Sequence, residues 1–157
     1  MSTLDTEEQL RLFGIDGTKF LTEFQRMNSA LECHINSLQG VRIDSCAFNE
    51  EFEVLKNCKK LEMLRIRNCD QELSKLSKIL DLKSGTLLQR LSLELNGDGS
   101  QEYTLLLEAL KSFCPNIIYL DIANIKFFTK LVELTSDLQK LQFFYYGAIM
   151  TTYRMKN

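Results

Sequence analysis

The stretch NCKKLEMLRIRNC, residues 57–69, places its apolar side chains at offsets that belong neither to a helix nor to a plain strand. Leu61 is followed by Leu64, Ile66 and Cys69, at offsets of three, five and eight residues. An amphipathic helix repeats its apolar residues every three or four positions, and a half-buried strand repeats them every second position. The pair at offsets three and five therefore predicts a short strand with two side chains on its buried face.

These offsets recur along the chain. The first apolar positions of the matching segments are spaced 23 to 29 residues apart. A period of about 20–29 residues is typical of architectures that use one strand in each repeat. The matching sets are Leu38, Val41, Ile43 and Cys46; Leu61, Leu64, Ile66 and Cys69; Leu88, Leu91, Leu93 and Asn96; Ile117, Leu120, Ile122 and Ile125; and Leu141, Phe144, Tyr146 and Ile149.

Between the matches the apolar period changes to three or four residues, which predicts a helix after each strand. The predicted helices span residues 71–80, 101–110 with a continuation to Phe113, and 127–138. A shorter one spans residues 49–57. Each unit is therefore expected to consist of a strand, a turn and a helix.

The residue at offset eight lies where the chain leaves the strand. A polar or thiol side chain at this place can hydrogen-bond to the exposed backbone of a neighbouring turn. Cys46, Cys69 and Asn96 fit this role, whereas Ile125 and Ile149 depart from it.

Together these features resemble the leucine-rich repeat superfamily. Cys58 and Cys114 each precede the first anchor of a repeat by three residues, as in the cysteine-containing repeats of F-box proteins, including large fungal families. The resemblance implies an α/β solenoid of about five strand–turn–helix repeats over residues 38–150, with a parallel concave sheet and outer helices. It also implies that the concave face binds a protein partner without catalysis.

The two ends of the chain depart from the repeat pattern. An F-box usually opens with a Leu-Pro pair, but the single proline of this chain is Pro115, so residues 1–37 do not resemble one. Helical spacing over residues 18–35 predicts that residues 1–37 form a helical N-terminal cap or a degenerate repeat. Residues 151–157 form a short polar tail, too short for a further strand and helix. We therefore expect an unpaired last strand, and a chain that needs further repeats or associates through that strand.

The resemblance leaves two functions open. In the first, the concave face captures a substrate for a cullin-type ubiquitin ligase, and the ligase adaptor binds an F-box that lies upstream of this chain. In the second, the chain is a stand-alone repeat scaffold or inhibitor that is not linked to ubiquitination. Repeat solenoids bind many unrelated targets, so the fold does not identify the partner.

The charge balance argues against nucleic acid and membrane partners. The chain has 19 basic and 21 acidic residues and a net charge of −2, so it lacks the basic excess that such partners favour. Residues 1–13 are acidic and have no apolar core of a signal peptide. Five cysteines are an odd number, which favours reduced thiols in a cytoplasmic or nuclear protein.

No motif in the sequence predicts catalysis. The chain has no C-x-x-C pair and a single histidine, His34, so neither a metal site nor a histidine-based catalytic site is expected. The segment LNGDGS, residues 95–100, has Glu102 where a phosphate-binding loop needs a third glycine. It also lacks the glycine and glutamate positions of a calcium loop. We predict a protein that is not an enzyme and that holds no cofactor or metal.

In each predicted strand the side chains at offsets three and five are buried. Because side chains alternate along a strand, the residue between these two, the residue just before them and the residue just after them point to the open face of the sheet. These positions carry arginines on the first three predicted strands and aromatic residues on the last two. Arginine and tyrosine are enriched at binding hot spots, so we expect the arginines to dock an acidic partner. The alternative is that the arginines are merely solvated and that Phe143 covers the end of the core. The predicted partner-binding residues are Arg42, Arg65, Arg67, Arg90, Tyr119, Asp121, Phe143 and Tyr145.

Overall fold

Short strands alternate with helices along most of the chain. The computed structural model describes residues 10–17, 24–48, 50–71, 73–80, 85–95, 100–123, 128–146 and 153–154. The strands are β1 (Leu12–Asp16), β2 (Gly40–Asp44), β3 (Ala47–Phe48), β4 (Met63–Gln71), β5 (Arg90–Leu95), β6 (Tyr119–Ala123), β7 (Phe143–Tyr146) and β8 (Tyr153–Arg154). The helices are α1 (Phe24–His34), α2 (Leu73–Leu80), α3 (Ser100–Phe113) and α4 (Phe128–Asp137), with 3-10 helices at Glu50–Asn57 and Gly85–Leu87.

The strands form a sheet whose order follows the chain, β1-β2-β4-β5-β6-β7-β8. Each pair from β1 to β7 is parallel, and β8 returns antiparallel beside β7. The short strand β3 pairs with the end of β4. Parallel neighbours need a crossover connection, which the helices between the strands provide.

The predicted strand register is confirmed. Val41, Leu64, Leu91 and Leu120 lie side by side on four neighbouring strands, and Phe144 continues the row on β7. All five side chains are buried, as are the first apolar anchors of the five predicted segments. The side chains at offsets three and five thus belong to one continuous hydrophobic core on one face of the sheet.

The predicted helices lie where the change of period placed them, and α2, α3 and α4 pack beside one another. The helix ends at Phe113, to which its apolar period extends, and this side chain is 37% exposed. The backbone N–H of Cys114 still donates to the carbonyl of Leu110 at 3.1 Å. Cys114, four residues after Leu110, therefore takes the buried place.

Strand β1 was not predicted, since the pattern indicated only a helix before residue 37. Its segment nevertheless carries the repeat offsets, at Leu10, Phe13 and Ile15. Ile15 is buried and aligns with Ile43 of β2, and the other two pack against the core. A further strand of the same register therefore precedes the five that the sequence analysis found.

The expectation of an unpaired last strand is also wrong. Tyr153–Arg154 forms β8, which aligns with Phe143 and Phe144 of β7. This pairing covers part of the backbone edge that an unpaired strand would expose.

The thiols at offset eight bond mainly within their own segment, and only Cys69 makes a contact of the expected type, with its Sγ 3.8 Å from the carbonyl oxygen of Ile43 on the neighbouring strand. The Sγ of Cys46 donates to the carbonyl of Asp44 at 3.2 Å, and the Sγ of Cys69 donates to the carbonyl of Arg67 at 3.1 Å. The residue before each thiol has a positive φ, 56° at Ser45, just after β2 ends, and 50° at Asn68, where the register of β4 against β5 shifts. Asn96, Ile125 and Ile149, the other residues at this offset, lie outside the described residues.

The burial of the cysteines leads to a prediction about their reactivity. All five are free thiols, and only Cys33 is exposed. Burial raises the pKa of Cys46 and Cys58 to about 11 and that of Cys114 to about 12, so these thiols stay protonated and unreactive near neutral pH. At pH 8 we expect a disulfide reagent such as DTNB to label one thiol of the native protein rapidly and five after unfolding.

The matched control for this labelling is Cys33→Ser, which should remove the rapid phase and leave the unfolding-dependent one. Addition of EDTA should change neither phase, because the thiols hold no metal in this interpretation. Rapid labelling of two or more thiols in the native protein would contradict the burial described above.

Candidate functional site

The candidate site lies on the open face of the sheet, the face opposite the buried row. Its central row crosses five neighbouring strands and contains Arg42, Arg65, Ser92, Asp121 and Tyr145. These are the residues that alternation placed between the buried pairs, so the sequence determined this row directly.

Two flanking rows complete the open face. Gly40, Met63, Arg90, Tyr119 and Phe143 form the row nearer the start of each strand. On the other side, Asp44 aligns with Arg67 on β4, and Glu94 of β5 aligns with Ala123 of β6. Strand alternation also predicts Gly147 for this last row, but that residue lies outside the described residues.

The open face contains a cavity of about 440 Å³. Seven of the eight predicted partner-binding residues line it, and Arg42, on β2, does not. Met63, Ser92 and Ile118, which were not among the predicted binding residues, also contribute. The complete lining is Met63, Leu64, Arg65, Arg67, Arg90, Leu91, Ser92, Ile118, Tyr119, Asp121, Phe143 and Tyr145.

Ser92 explains why the cavity forms at this place. It is the smallest side chain of the central row, with Arg65 on the strand to one side and Asp121 on the strand to the other. Neighbouring strands lie about 4.8 Å apart, so longer side chains on the two flanking strands border a short one. Ser92 is 9% exposed and forms the floor. A small residue within a row of large ones was the sequence signal for this feature.

A hydrogen-bonded network ties the floor to its surroundings. The Oγ of Ser92 donates to Oδ2 of Asp121 at 2.9 Å. Nη2 of Arg67 lies 2.5 Å from the same carboxylate oxygen and 3.2 Å from the Ser92 Oγ. The network spans three strands, from β4 to β6. Arg67 is therefore held by groups of its own chain.

The other arginines differ in their partners. Arg42 forms an ion pair with Asp44, and Nε of Arg65 lies 3.9 Å from the second oxygen of the same carboxylate. Arg90 is exposed and makes no ion pair with any residue that the structure describes. The four arginines of the open face, which share one residue type and one face, thus differ in their ion pairs.

The far side of the cavity is aromatic. The rings of Tyr119 and Tyr145 have centroids 5.2 Å apart and are tilted by 41°. Phe143 is 41% exposed and lines the cavity on the same side. Burial, and then the charge of Asp121, raise the pKa of Tyr119, so its hydroxyl stays protonated and can donate a hydrogen bond at neutral pH.

Two other classes of site can be assessed within the described ranges. They contain no group of three or more His, Cys, Asp or Glu residues arranged to hold a metal ion. None of the helices in these ranges is long and apolar enough to cross a bilayer.

The comparisons with known proteins bear on the fold. No family model matches the chain, and no curated protein matches it. Among solved structures, the chain is similar to the tropomodulin C-terminal domain of Caenorhabditis elegans, with a TM-score of 0.60 and 15% sequence identity over 87% of this chain and 85% of that chain. This likeness shows the fold alone, an α/β arrangement with six parallel strands in one sheet. It gives no support to the resemblance with F-box proteins.

Proposed function

We propose that this chain is a leucine-rich repeat solenoid of about five repeats that recognises a protein partner on the open face of its sheet and catalyses no reaction. The observation that carries the proposal is the cavity of about 440 Å³ above Ser92. It combines arginine and tyrosine side chains, the residue types that most often dominate binding energy at protein interfaces.

The surroundings of the cavity favour a protein partner over a small metabolite. Arg90 and Phe143 border the cavity and are exposed, so an occupant would meet further surface outside it. A stable protein interface covers roughly 800 Å² on each partner, far more than the cavity alone. We therefore propose that the cavity receives an anchoring side chain and that the rest of the open face supports it.

The partner need not be connected with ubiquitination. We propose the stand-alone scaffold or inhibitor, because no comparison supports the ligase context. The buried free thiols favour action in a reducing compartment, the cytoplasm or nucleus. The ligase context predicts co-purification of the tagged chain with the adaptor subunit of a cullin-type ligase. Recovery of that adaptor in stoichiometric amounts would reverse this choice.

Filling the cavity tests the proposed function. The variant Ser92→Phe places a benzyl side chain on the floor, pointing towards the open face. Peptides from a phage-displayed library of random 12-residue sequences, selected on the wild-type protein, should bind this variant at least about tenfold more weakly. That loss corresponds to about 1.4 kcal/mol, within the range of interface hot spots. Fluorescence anisotropy with the labelled peptides measures it.

The matched control is Ser92→Ala, which removes the hydroxyl and its bond to Asp121 but keeps the cavity open. Binding to this variant should stay within about threefold of wild type. Selected peptides that bind Ser92→Phe as tightly as wild type would place the binding site elsewhere. Melting curves of both variants exclude loss of the fold as the cause.

A further inference from the structure

We infer that the cavity binds an extended segment of a protein in which an acidic residue lies close to an apolar one, with Arg90 contacting the carboxylate. This inference rests on the proposed function and adds the chemistry of the partner. It also changes the role of Arg67 from partner contact to positioning residue.

The lining of the cavity has two chemically different halves. Arg65 and Arg90 lie on β4 and β5, whereas Tyr119, Phe143 and Tyr145 lie on β6 and β7. One half therefore favours an anion and the other an apolar or aromatic side chain.

Charge pairing within the lining shows which arginine is available. The lining contains three arginines and one carboxylate, and that carboxylate, Asp121, is bonded to Arg67. Arg65 lies 3.9 Å from Asp44, which also pairs with Arg42. Arg90 is the lining arginine that has no ion pair among the described residues.

The neighbours of Arg90 suit a charge-assisted bond to a partner. On the sheet it lies between Met63 of β4 and Tyr119 of β6, so its side chain is bordered by an apolar and an aromatic group. Glu62 and Arg90 both line a second, smaller cavity of about 230 Å³ but form no ion pair with each other. A carboxylate that reaches Arg90 from a partner would therefore meet an unoccupied cation beside apolar surface.

Arg67 is unsuited to direct contact with an acidic partner. Its guanidinium bonds to both Asp121 and Ser92, so a partner carboxylate would have to displace the chain's own groups. We assign it to the positioning of the cavity floor.

The surrounding charges favour an acidic protein segment over a nucleic acid. Asp16, Asp44 and Glu94 also occupy open-face positions, and the whole chain carries a net charge of −2. A nucleic acid backbone brings a series of phosphates, which these carboxylates would repel. A single acidic side chain directed at Arg90 avoids most of this repulsion.

The positions of the two halves predict a spacing. Arg90 is on β5 and Phe143 is on β7, two strands apart, which corresponds to about 10 Å. An extended segment advances about 3.3 Å for each residue. If the segment crosses the strands, its acidic and apolar residues should lie about three positions apart.

The test repeats the 12-residue phage selection on wild type, Arg90→Gln and Arg90→Glu. Wild type should enrich sequences with Asp or Glu two to four positions from an aromatic or aliphatic residue. Arg90→Glu should replace that preference by Lys or Arg. In a peptide selected on the wild-type protein, the acidic residue is then changed to the corresponding amide. This change should weaken binding to the wild-type protein about tenfold, and binding to Arg90→Gln by less than about twofold.

Two controls complete the experiment. Lys78→Gln removes an exposed positive charge on α2, away from the open face and the cavity lining, and should leave peptide binding unchanged. Arg90→Lys keeps the charge and should keep the preference for acidic peptides. Melting curves of the Arg90 variants should match wild type, because the residue is exposed.

The possible outcomes separate the two proposals. Peptides that lose binding to Ser92→Phe but show no acidic preference would overturn this inference and leave the proposed function standing. Selections that yield no peptide sensitive to Ser92→Phe would overturn the proposed function itself. A 12-nucleotide oligouridine that binds wild type and is lost in Arg90→Gln would overturn the choice of a protein partner.

Discussion

Replacing Leu91 by alanine is expected to lower the free energy of unfolding by about 2–5 kcal/mol. The side chain is fully buried on β5, and its partners across the sheet, Leu64 and Leu120, are equally buried. Truncation removes apolar contacts and leaves a void that the paired strands on both sides cannot easily close. Urea unfolding, monitored by circular dichroism, measures the change. An unchanged slope of the unfolding free energy against urea concentration would show that the same surface is exposed on unfolding.

The neighbouring residue Arg90 provides a control for this prediction. Arg90 is exposed on the opposite side of the same strand, so Arg90→Ala should change stability by no more than about 0.5 kcal/mol. Leu64→Ala, in the same buried row, should behave like Leu91→Ala. A large effect at Arg90 together with a small one at Leu91 would reverse the assignment of the two faces. The binding cavity would then not exist as described.

The sequence predicted the rows of the open face because a strand has little freedom in where its side chains point. Once the buried pair Leu91 and Leu93 is assigned, alternation places Arg90, Ser92 and Glu94 on the other face. The repeat then aligns these residues with their equivalents on the next strands, as observed between β5 and β6. This is why residues chosen from sequence alone line one cavity.

The pairing of charges on that face could not be predicted in the same way. Arg67 aligns in sequence with the row of Glu94, yet it bonds to Asp121, 54 residues away and in the central row. The long arginine side chain reaches across β5, and the small Ser92 between the two leaves room for it. Such contacts depend on side-chain length and on the size of an intervening residue, which a repeat pattern does not record.

The unpredicted strands show a second limit of pattern reasoning. The segment of β1 carries the repeat offsets but includes Gly14, a residue type that is rare in strands. Pairing with β2 outweighs this weak local preference. Strand β8 has only two residues, too few for any period to be visible. Both strands are determined by contacts with the rest of the sheet.

Replacing Gly85 by alanine should be the most damaging of three matched glycine substitutions. Gly85 is buried in the 3-10 helix Gly85–Leu87, which leads into β5. An added Cβ would lie 2.3 Å from the carbonyl oxygen of Leu80 and 2.9 Å from that of Phe113. Backbone atoms at the ends of α2 and α3 would have to move, so we expect a loss of about 1–3 kcal/mol or more.

Gly40 and Gly14 are the controls, because an added methyl group meets different neighbours at each. At Gly40 the new Cβ would lie 2.7 Å from Cδ2 of Leu12 and 2.8 Å from Cε of Met63, which are ends of flexible side chains that can rotate away. At Gly14 nothing lies within 4 Å, and alanine in a strand should stabilise by about 0.5–1 kcal/mol relative to glycine. The melting temperature should therefore be highest for Gly14→Ala, intermediate for Gly40→Ala and lowest for Gly85→Ala. Both glycines are buried, but the added Cβ would meet backbone oxygens at Gly85 and side-chain ends at Gly40. A melting temperature of Gly85→Ala equal to or above that of Gly40→Ala would therefore contradict the close packing at the ends of α2 and α3.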